Sequence, residues 1–256
     1  MQSVNFDRAA DFYDATRGFP DGIPEQIGQF IAESASLQET DHVLEIGIGT
    51  GRIALPLASH VRWITGVDIS HRMLQTLMNK RRTEPVFPIQ ADGHHLPYVD
   101  ASFNAVMIVH VLHLVPDPVK ILSDVQRVLK TNGRLLHCFG KTNRDEDNVV
   151  VRAWNENRPK RRTGYQWQQT AHALDTSGWK LEQETTFTYR YTDTPQKLFD
   201  AVKNKVWSSM WNVPDAEIVP VLDAITQAVE TYYNGDFQAQ MARQSDFTLQ
   251  ILSPSA

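Results

Sequence analysis

The chain has 256 residues, 41% of them hydrophobic, enough to bury a sizeable core as one large domain or two small ones. Its formal charge is −5 and its basic runs are confined to Lys80-Arg81-Arg82 and Lys160-Arg161-Arg162, which argues against a nucleic-acid partner, because a phosphate backbone demands a basic face. The single cysteine, Cys138, excludes a disulfide framework and a cysteine-rich metal site.

Two helical segments open the chain within residues 1–40. Asn5 to Thr16 gathers Phe6, Ala9, Ala10 and Tyr13 on one side, and Pro24 to Ser36 gathers Ile27, Phe30 and Ile31. Val43 to Ile46 reads as a short apolar strand leading into glycines at 47, 49 and 51. The helix that follows should be short, since Pro56 falls past its first turn and removes a hydrogen bond there. Trp63 to Val67 is a second strand, closed by Asp68. Ser70 can cap a helix that buries Met73, Leu74, Leu77 and Met78, with Lys80-Arg81-Arg82 suiting the negative end of its dipole.

Ile89 to Gly93 closes a third strand, and Phe103 to His110 forms a fourth. Asp117-Pro118 starts a helix with Val119, Ile121, Leu122, Val125, Val128 and Leu129 inward, which Asn132-Gly133 is expected to stop. A fifth strand at 135–139 runs into the polar stretch Lys141 to Asn148, and a helix over 166–176 ends at Gly178. Lys180 to Tyr191 and Arg243 to Leu252 read as the last strands, separated by a helical stretch over 195–234. Short apolar runs alternating with helical patterns imply a parallel sheet covered on both faces. The start of the chain has no signal-peptide core, and no apolar run approaches the ~18 residues that span a bilayer, so a cytoplasmic location without membrane contact is expected.

The most informative stretch is Val43-Leu44-Glu45-Ile46-Gly47-Ile48-Gly49-Thr50-Gly51. Glycines let the backbone turn sharply and approach a ligand closely. A dinucleotide fingerprint would place its third glycine at 52, where this chain has Arg52. Glu45, just before the loop, would repel a pyrophosphate and suit a cationic ligand bearing a sulfonium and an ammonium. S-adenosylmethionine fits that description. Asp68 lies 21 residues beyond Gly47, the spacing at which an acid meets the ribose hydroxyls of an adenosine ligand.

This stretch resembles the first motif of class I S-adenosylmethionine-dependent methyltransferases. Ile89-Gln90-Ala91-Asp92-Gly93 is similar to the family's adenine-contacting segment. Phe103 to His110 resembles its fourth strand, and Leu129 to Leu136 the approach to its fifth. The resemblance covers residues 40–140 well and the last hundred poorly. It implies a Rossmann-like, doubly wound α/β fold with a seven-stranded sheet, mostly parallel with one antiparallel strand. Residues 1–256 then form one methyltransferase domain, with 41–140 as the cofactor-binding core and 195–234 as a helical cap inserted in the final hairpin.

The resemblance also implies roles. Glu45, Gly47, Gly49, Thr50 and Gly51 form the cofactor loop, with Glu45 near the methionine end or orienting the loop. Asp68 takes the ribose hydroxyls. Ile69 and Met73 sandwich the adenine, although Met73 reads equally as core. Asp92 and the Gly93 backbone read the adenine amino group. Phe12-Tyr13-Asp14-Ala15-Thr16-Arg17 is similar to an N-terminal Tyr-Asp-x-x-Arg segment that folds over the cofactor, which places Tyr13 near the sulfonium and Arg17 on the carboxylate, a group suited to bidentate bonding.

His110 sits beyond the carboxyl end of its strand, where ligands of open parallel sheets bind; it is a candidate cofactor contact and, alternatively, the candidate catalytic base. His113, Trp154, Trp207 and Trp211, with Trp167 nearby, are candidates to wall an acceptor pocket; a cap helix burying its own stripe explains the tryptophans as well. His94 and His95 lack the companions a metal site needs, so no metal is expected.

The expected activity is methyl transfer from S-adenosylmethionine to a small molecule, driven by orientation and exclusion of water. Quinone-biosynthesis enzymes belong to the group resembled. Amino-methylating DNA enzymes are set aside because the chain reads His110-Val111-Leu112-His113 in place of an Asn/Asp-Pro-Pro-aromatic tetrad, and cytosine-C5 enzymes because Cys138-Phe139 lacks the required proline. Two alternatives stand beside this one: a cofactor-binding sensor or scaffold without catalysis, and an NAD-dependent dehydrogenase, which Glu45 and Arg52 disfavour.

Overall fold

A computed structural model describes residues 6–141, 148–159 and 167–255. The Lys160-Arg161-Arg162 triplet, most of the polar stretch after the fifth strand and the Trp167 side chain lie outside the described residues. The chain forms two compact units, one comprising Met1–Gly140, Gly164–Phe187 and Phe247–Ala256, the other Lys141–Thr163 and Thr188–Asp246.

In the first unit, α1 (Tyr13–Arg17) and α2 (Ile23–Ser34) precede β1 (His42–Ile46), α3 (Ala54–Leu57), β2 (Trp63–Asp68), α4 (His71–Lys80), β3 (Val86–Gln90), β4 (Phe103–Val109), α5 (Pro118–Val128) and β5 (Leu129–Lys141). Helix α6 (Val149–Asn157) follows, then α7 (Trp167–Thr176), β6 (Trp179–Asp193), α8 (Pro195–Lys203), α9 (Asp215–Tyr233) and β7 (Met241–Pro254). The boundary between units falls inside β6 and again inside β7.

The seven strands form one sheet in the order β3-β2-β1-β4-β5-β7-β6. Pairs β1–β2, β1–β4, β2–β3 and β4–β5 are parallel. The last two strands run antiparallel. Glu184 meets Gln250, Thr186 meets Thr248 and Thr188 meets Asp246, so partners climb on one strand as they fall on the other. This is the doubly wound, mostly parallel architecture expected from the sequence.

Capping places the helices. The Ser70 hydroxyl accepts the Met73 amide at 3.1 Å and starts α4, and Asp117 Oδ1 accepts the Lys120 amide at 3.0 Å beside Pro118 to start α5. Helix α3 spans a single turn and gives way to a 3-10 turn at Ala58–His60, as Pro56 foretells. Leu44, Ile46, Val67, Val106, Ile108 and Leu135 form the centre of the core beneath α5. Phe30 lies 5.7 Å from Phe187 and 6.5 Å from Phe247, fastening α2 to the two late strands.

Two expectations need correction, and one element is new. The first helix is broken into a 3-10 turn at Asp7–Ala9 and the short α1, with Phe12 between them outside helical geometry, because Asp7 and Asp14 reach separate partners on the sheet side. Asn132-Gly133 does not stop α5: the chain is already extended at Leu129, and Asn132 adopts a left-handed conformation inside β5. The register slips there between Phe103 and Ala105, so the turn signal is spent on a bulge. Helix α6, capped by Asn148 Oδ1, was not foreseen.

In the second unit α6, α8 and α9 enclose an apolar centre of Val150, Val202, Ile225 and Val229. Among the described residues no helix is long and apolar enough to cross a membrane.

Candidate functional site

Parallel pairing brings Ile46, Val67 and Ile108 level, so the carboxyl ends of β2, β1 and β4 open onto one crevice. The sheet order reverses direction between β1 and β4, which is where ligands of open α/β sheets bind. A cavity lies there, lined by residues from the ends of all three strands, at the place where small molecules bind such sheets.

The glycine loop closes over it. Gly47 has φ of 76°, and a Cβ there would fall 2.3 Å from Val111 Cγ2, so no other residue fits. Gly47 and Ile48 both donate their amides to the Val67 carbonyl. The Gly49 amide donates to Asp68 Oδ2 at 2.9 Å and the Ser70 amide to Oδ1 at 2.8 Å. Burial pushes Asp68 up from its usual carboxylate range, against the pull of those two amides.

Of the residues singled out in the sequence, Tyr13, Gly47, Gly49, Asp68, Ile69, Met73, Asp92, Gly93 and His110 line this cavity. Met73 is both wall and core, being buried as well as lining. Among the described lining residues there is no lysine or arginine.

Others stand behind the wall. Glu45 is 2% exposed, and its Oε2 has no hydrogen-bond partner among the described residues. Burial holds its carboxyl well above the usual range, with Arg52 pulling the other way. Thr50 faces away and donates to Asp14 Oδ1 at 2.6 Å. Gly51, at φ of 74°, packs against Leu77. Arg17 does not line the cavity; its carbonyl accepts Arg52 at 2.5 Å, and its guanidinium lies 5.6 Å from the Tyr13 ring centre.

His110 has a left-handed backbone, φ 55°, and its amide donates to the Cys138 carbonyl. Its Nε2 accepts the Gly140 amide at 3.0 Å, which puts the ring proton on Nδ1. Burial drives its pKa far below the usual value, and Arg52, His113 and Arg17 push the same way. The ring is neutral, lines the cavity, and has its basic nitrogen already engaged. His113 lies outside the lining, with its ring 6.4 Å from that of His110, and burial with His137 and Arg17 lowers it to about 4. Trp154 and Trp207 stack at 5.4 Å against the second unit's core, and Trp211 lies in the same unit.

Several contributors escaped the sequence reading. Phe6 lines the cavity beside Tyr13. Asp7 accepts the Ser70 hydroxyl at 2.5 Å, Asp11 pairs with Arg72 at 2.6 Å, and Asp14 pairs with Lys80 at 2.7 Å. The spacing 7, 11, 14 puts the three acids on one side of the segment, a signal that could have been read. His94 Nδ1 meets Asp92 Oδ1 at 2.6 Å, and His95 Nε2 meets Lys120 Nζ at 2.8 Å. Among the described residues no group of three histidines, cysteines or acids is placed to hold a metal ion.

Residues 44–137 match the family described as a methyltransferase domain. Phosphatidylethanolamine N-methyltransferase of Cereibacter sphaeroides is 35% identical over 98 residues, covering 37% of this chain and 48% of that protein. Demethylmenaquinone methyltransferase of Thermotoga maritima is 34% identical over 135 residues, covering 51% and 58%. The chain thus spans about half the length of the curated relatives it matches. The crystal structure of the YcgJ protein from Bacillus subtilis superposes with a TM-score of 0.57 at 18% identity, covering 90% of this chain and 99% of that one, a likeness of fold. Through residues 44–137, about a third of its length, the chain is similar to proteins of the methyltransferase-domain family.

Proposed function

We propose that the protein transfers a methyl group from S-adenosylmethionine to a small-molecule acceptor. The observation that carries this is the cavity at the ends of β1, β2 and β4, with Asp68 and Asp92 in its wall and no cationic side chain among its described lining residues. A pyrophosphate would meet two acids and no counter-charge there, which disfavours a dinucleotide. A nucleoside with a sulfonium fits. The buried Glu45 Oε2 behind the loop, without a hydrogen-bond partner among the described residues, suits such a cation.

When bound, S-adenosylmethionine supplies a methyl group on a positively charged sulfur, with a thioether as leaving group. Asp68 binds the ribose hydroxyls while its two backbone bonds hold it still. Asp92 and Gly93 read the adenine between Ile69 and Met73. Glu45 acts as a counter-charge behind the loop, and Arg17 with Thr50 fixes the methionine end of the site. Tyr13 and Phe6 cover the reacting end and exclude water. Orientation of this kind supplies roughly 7–11 kcal/mol. His110 contributes a hydrogen-bond donor and not a base, since its Nε2 is taken. His113, one residue from the lining residue Leu114, remains a candidate for acceptor contacts.

Calorimetry with S-adenosylmethionine, S-adenosylhomocysteine and NAD tests the assignment, followed by a labelled-methyl screen over phenols, amines, carboxylates and thiols. Binding of the first two but not NAD, with transfer to at least one acceptor class, is the expected result; NAD binding of comparable strength overturns it. A second reading, cofactor binding without transfer, draws on the sealed basic nitrogen of His110. Tight binding with no transfer to any acceptor favours it.

A further inference from the structure

The turn after β3 holds a buried histidine that the proposed chemistry does not use. His94 is 9% exposed, its ring Nδ1 is 2.6 Å from Asp92 Oδ1, and its own backbone amide donates to the same oxygen at 3.0 Å. Asp92 Oδ1 is therefore held from two directions by one residue. Its side chain is half exposed and lies in the cavity wall. The turn itself is pinned, since the Asp92 carbonyl accepts the His95 amide at 3.0 Å and the His95 ring meets Lys120.

The other ring nitrogen, His94 Nε2, is buried with no hydrogen-bond partner among the described residues. A position chosen for packing would be filled by an apolar side chain, because a buried unpaired nitrogen costs stability. The ring is kept although only half of its polarity is used, and that half is spent on Asp92. Burial alone would push the Asp92 carboxyl up; the His94 amide and the ring hydrogen bond more than offset it, so the carboxyl is held below its usual value.

We propose that His94 is the positioning residue for base recognition: by clamping Oδ1 of Asp92 it leaves Oδ2 as a fixed acceptor for an exocyclic amino group. The site then prefers an adenine base over one carrying a carbonyl at the same position, where two acceptors would face each other. This rests on the cofactor reading above.

The test compares S-adenosylhomocysteine with S-inosylhomocysteine, in which that amino group is a carbonyl, by calorimetry on the whole chain. The variants are His94→Leu and His94→Asn, which are nearly equal in shape, while only the second can donate to Asp92 from the position of Nδ1. The wild-type protein is expected to prefer the adenosyl ligand by about tenfold, the worth of one hydrogen bond to a charged, half-exposed carboxylate that the carbonyl ligand cannot make. His94→Leu should lose most of that preference, and His94→Asn should restore it. A merely structural role would weaken both ligands together and leave their ratio unchanged, which overturns the proposal. Should His94→Leu fail to fold, His94→Phe refills the ring volume without a donor and makes the same comparison. Failure of the wild-type protein to bind either ligand overturns the cofactor reading and this assignment with it; binding of both without preference overturns the assignment alone.

Discussion

The Gly49 amide donates to Asp68 Oδ2 across 2.9 Å, joining the middle of the glycine loop to the tip of β2. With Ser70 on the other oxygen, one carboxylate fixes the loop, the start of α4 and the mouth of the cavity. A carboxylate can do this because each oxygen has lone pairs to spare for ribose hydroxyls after accepting a backbone amide.

Asp68→Asn should therefore be nearly as damaging as Asp68→Ala. The amide offers one acceptor oxygen, so its NH₂ must confront the Gly49 or the Ser70 N–H. S-adenosylhomocysteine affinity, measured by calorimetry, should fall by about tenfold or more in both variants. An asparagine variant that binds like wild type would show that the second oxygen is not needed.

The acidic face of the N-terminal segment predicts a graded series. Asp14 bonds both Thr50 and Lys80 and is half-buried, whereas Asp11 and Arg72 are largely exposed. Exposed ion pairs are worth about 0–1 kcal/mol. Asp14→Ala should speed cofactor dissociation several-fold, by about 3- to 10-fold in stopped-flow displacement, because it loosens the segment that carries Tyr13 over the cavity. Asp11→Ala should leave that rate unchanged. Equal effects would mean that the segment is held by its aromatic contacts.

The legible part of this molecule was local. The glycines, Asp68 and the helix caps announce themselves because each does its work within a few residues of chain, and the parallel core follows from strands with helices between them. The misreadings came from contacts distant in sequence. Asn132-Gly133 has every mark of a helix stop, yet pairing with β4 draws it into a strand. Arg17 and Thr50 lie outside the cavity lining, where Arg52 bonds the Arg17 carbonyl and Asp14 takes the Thr50 hydroxyl, partners that local spacing does not reveal. The Asp92–His94 clamp and the His110–Gly140 bond depend on rotamers, which periodicity does not record.

Glu45 makes a prediction about pH. Its folded-state pKa stands well above the ordinary 4.5, chiefly through burial. The unfolded chain releases this proton near the ordinary value, so the folded protein binds more protons above it. Stability is present in full at low pH and is lost as pH rises from 4.5 toward the folded value. Glu45→Gln removes the titration and keeps the shape. Its melting temperature should exceed that of the wild type by a margin that grows from pH 5 to pH 8. A constant margin would mean that Glu45 is ionised in both states. If the carboxylate is the counter-charge proposed for the cationic cofactor, wild-type affinity for S-adenosylmethionine should rise over the same range, and that of Glu45→Gln should not.

His113 works in the opposite sense. Burial, His137 and Arg17 lower it to about 4, so in the folded protein it stays neutral where the unfolded chain takes up a proton near 6.5. The unfolded state then binds more protons between those values, and stability falls as pH drops from 6.5 toward 4. At pH 5 the cost from this one ring is about 2 kcal/mol, at 1.36 kcal/mol for each pH unit below 6.5. His113→Gln cannot titrate, while His110 and His137 remain in both proteins and contribute a shared background. Urea denaturation at pH 7.5 and at pH 5 should therefore show the variant gaining on the wild type by about 2 kcal/mol at the lower pH. Equal differences at the two pH values would mean that His113 is protonated in the folded state, and the electropositive surroundings described for it would then have to contain a compensating acid.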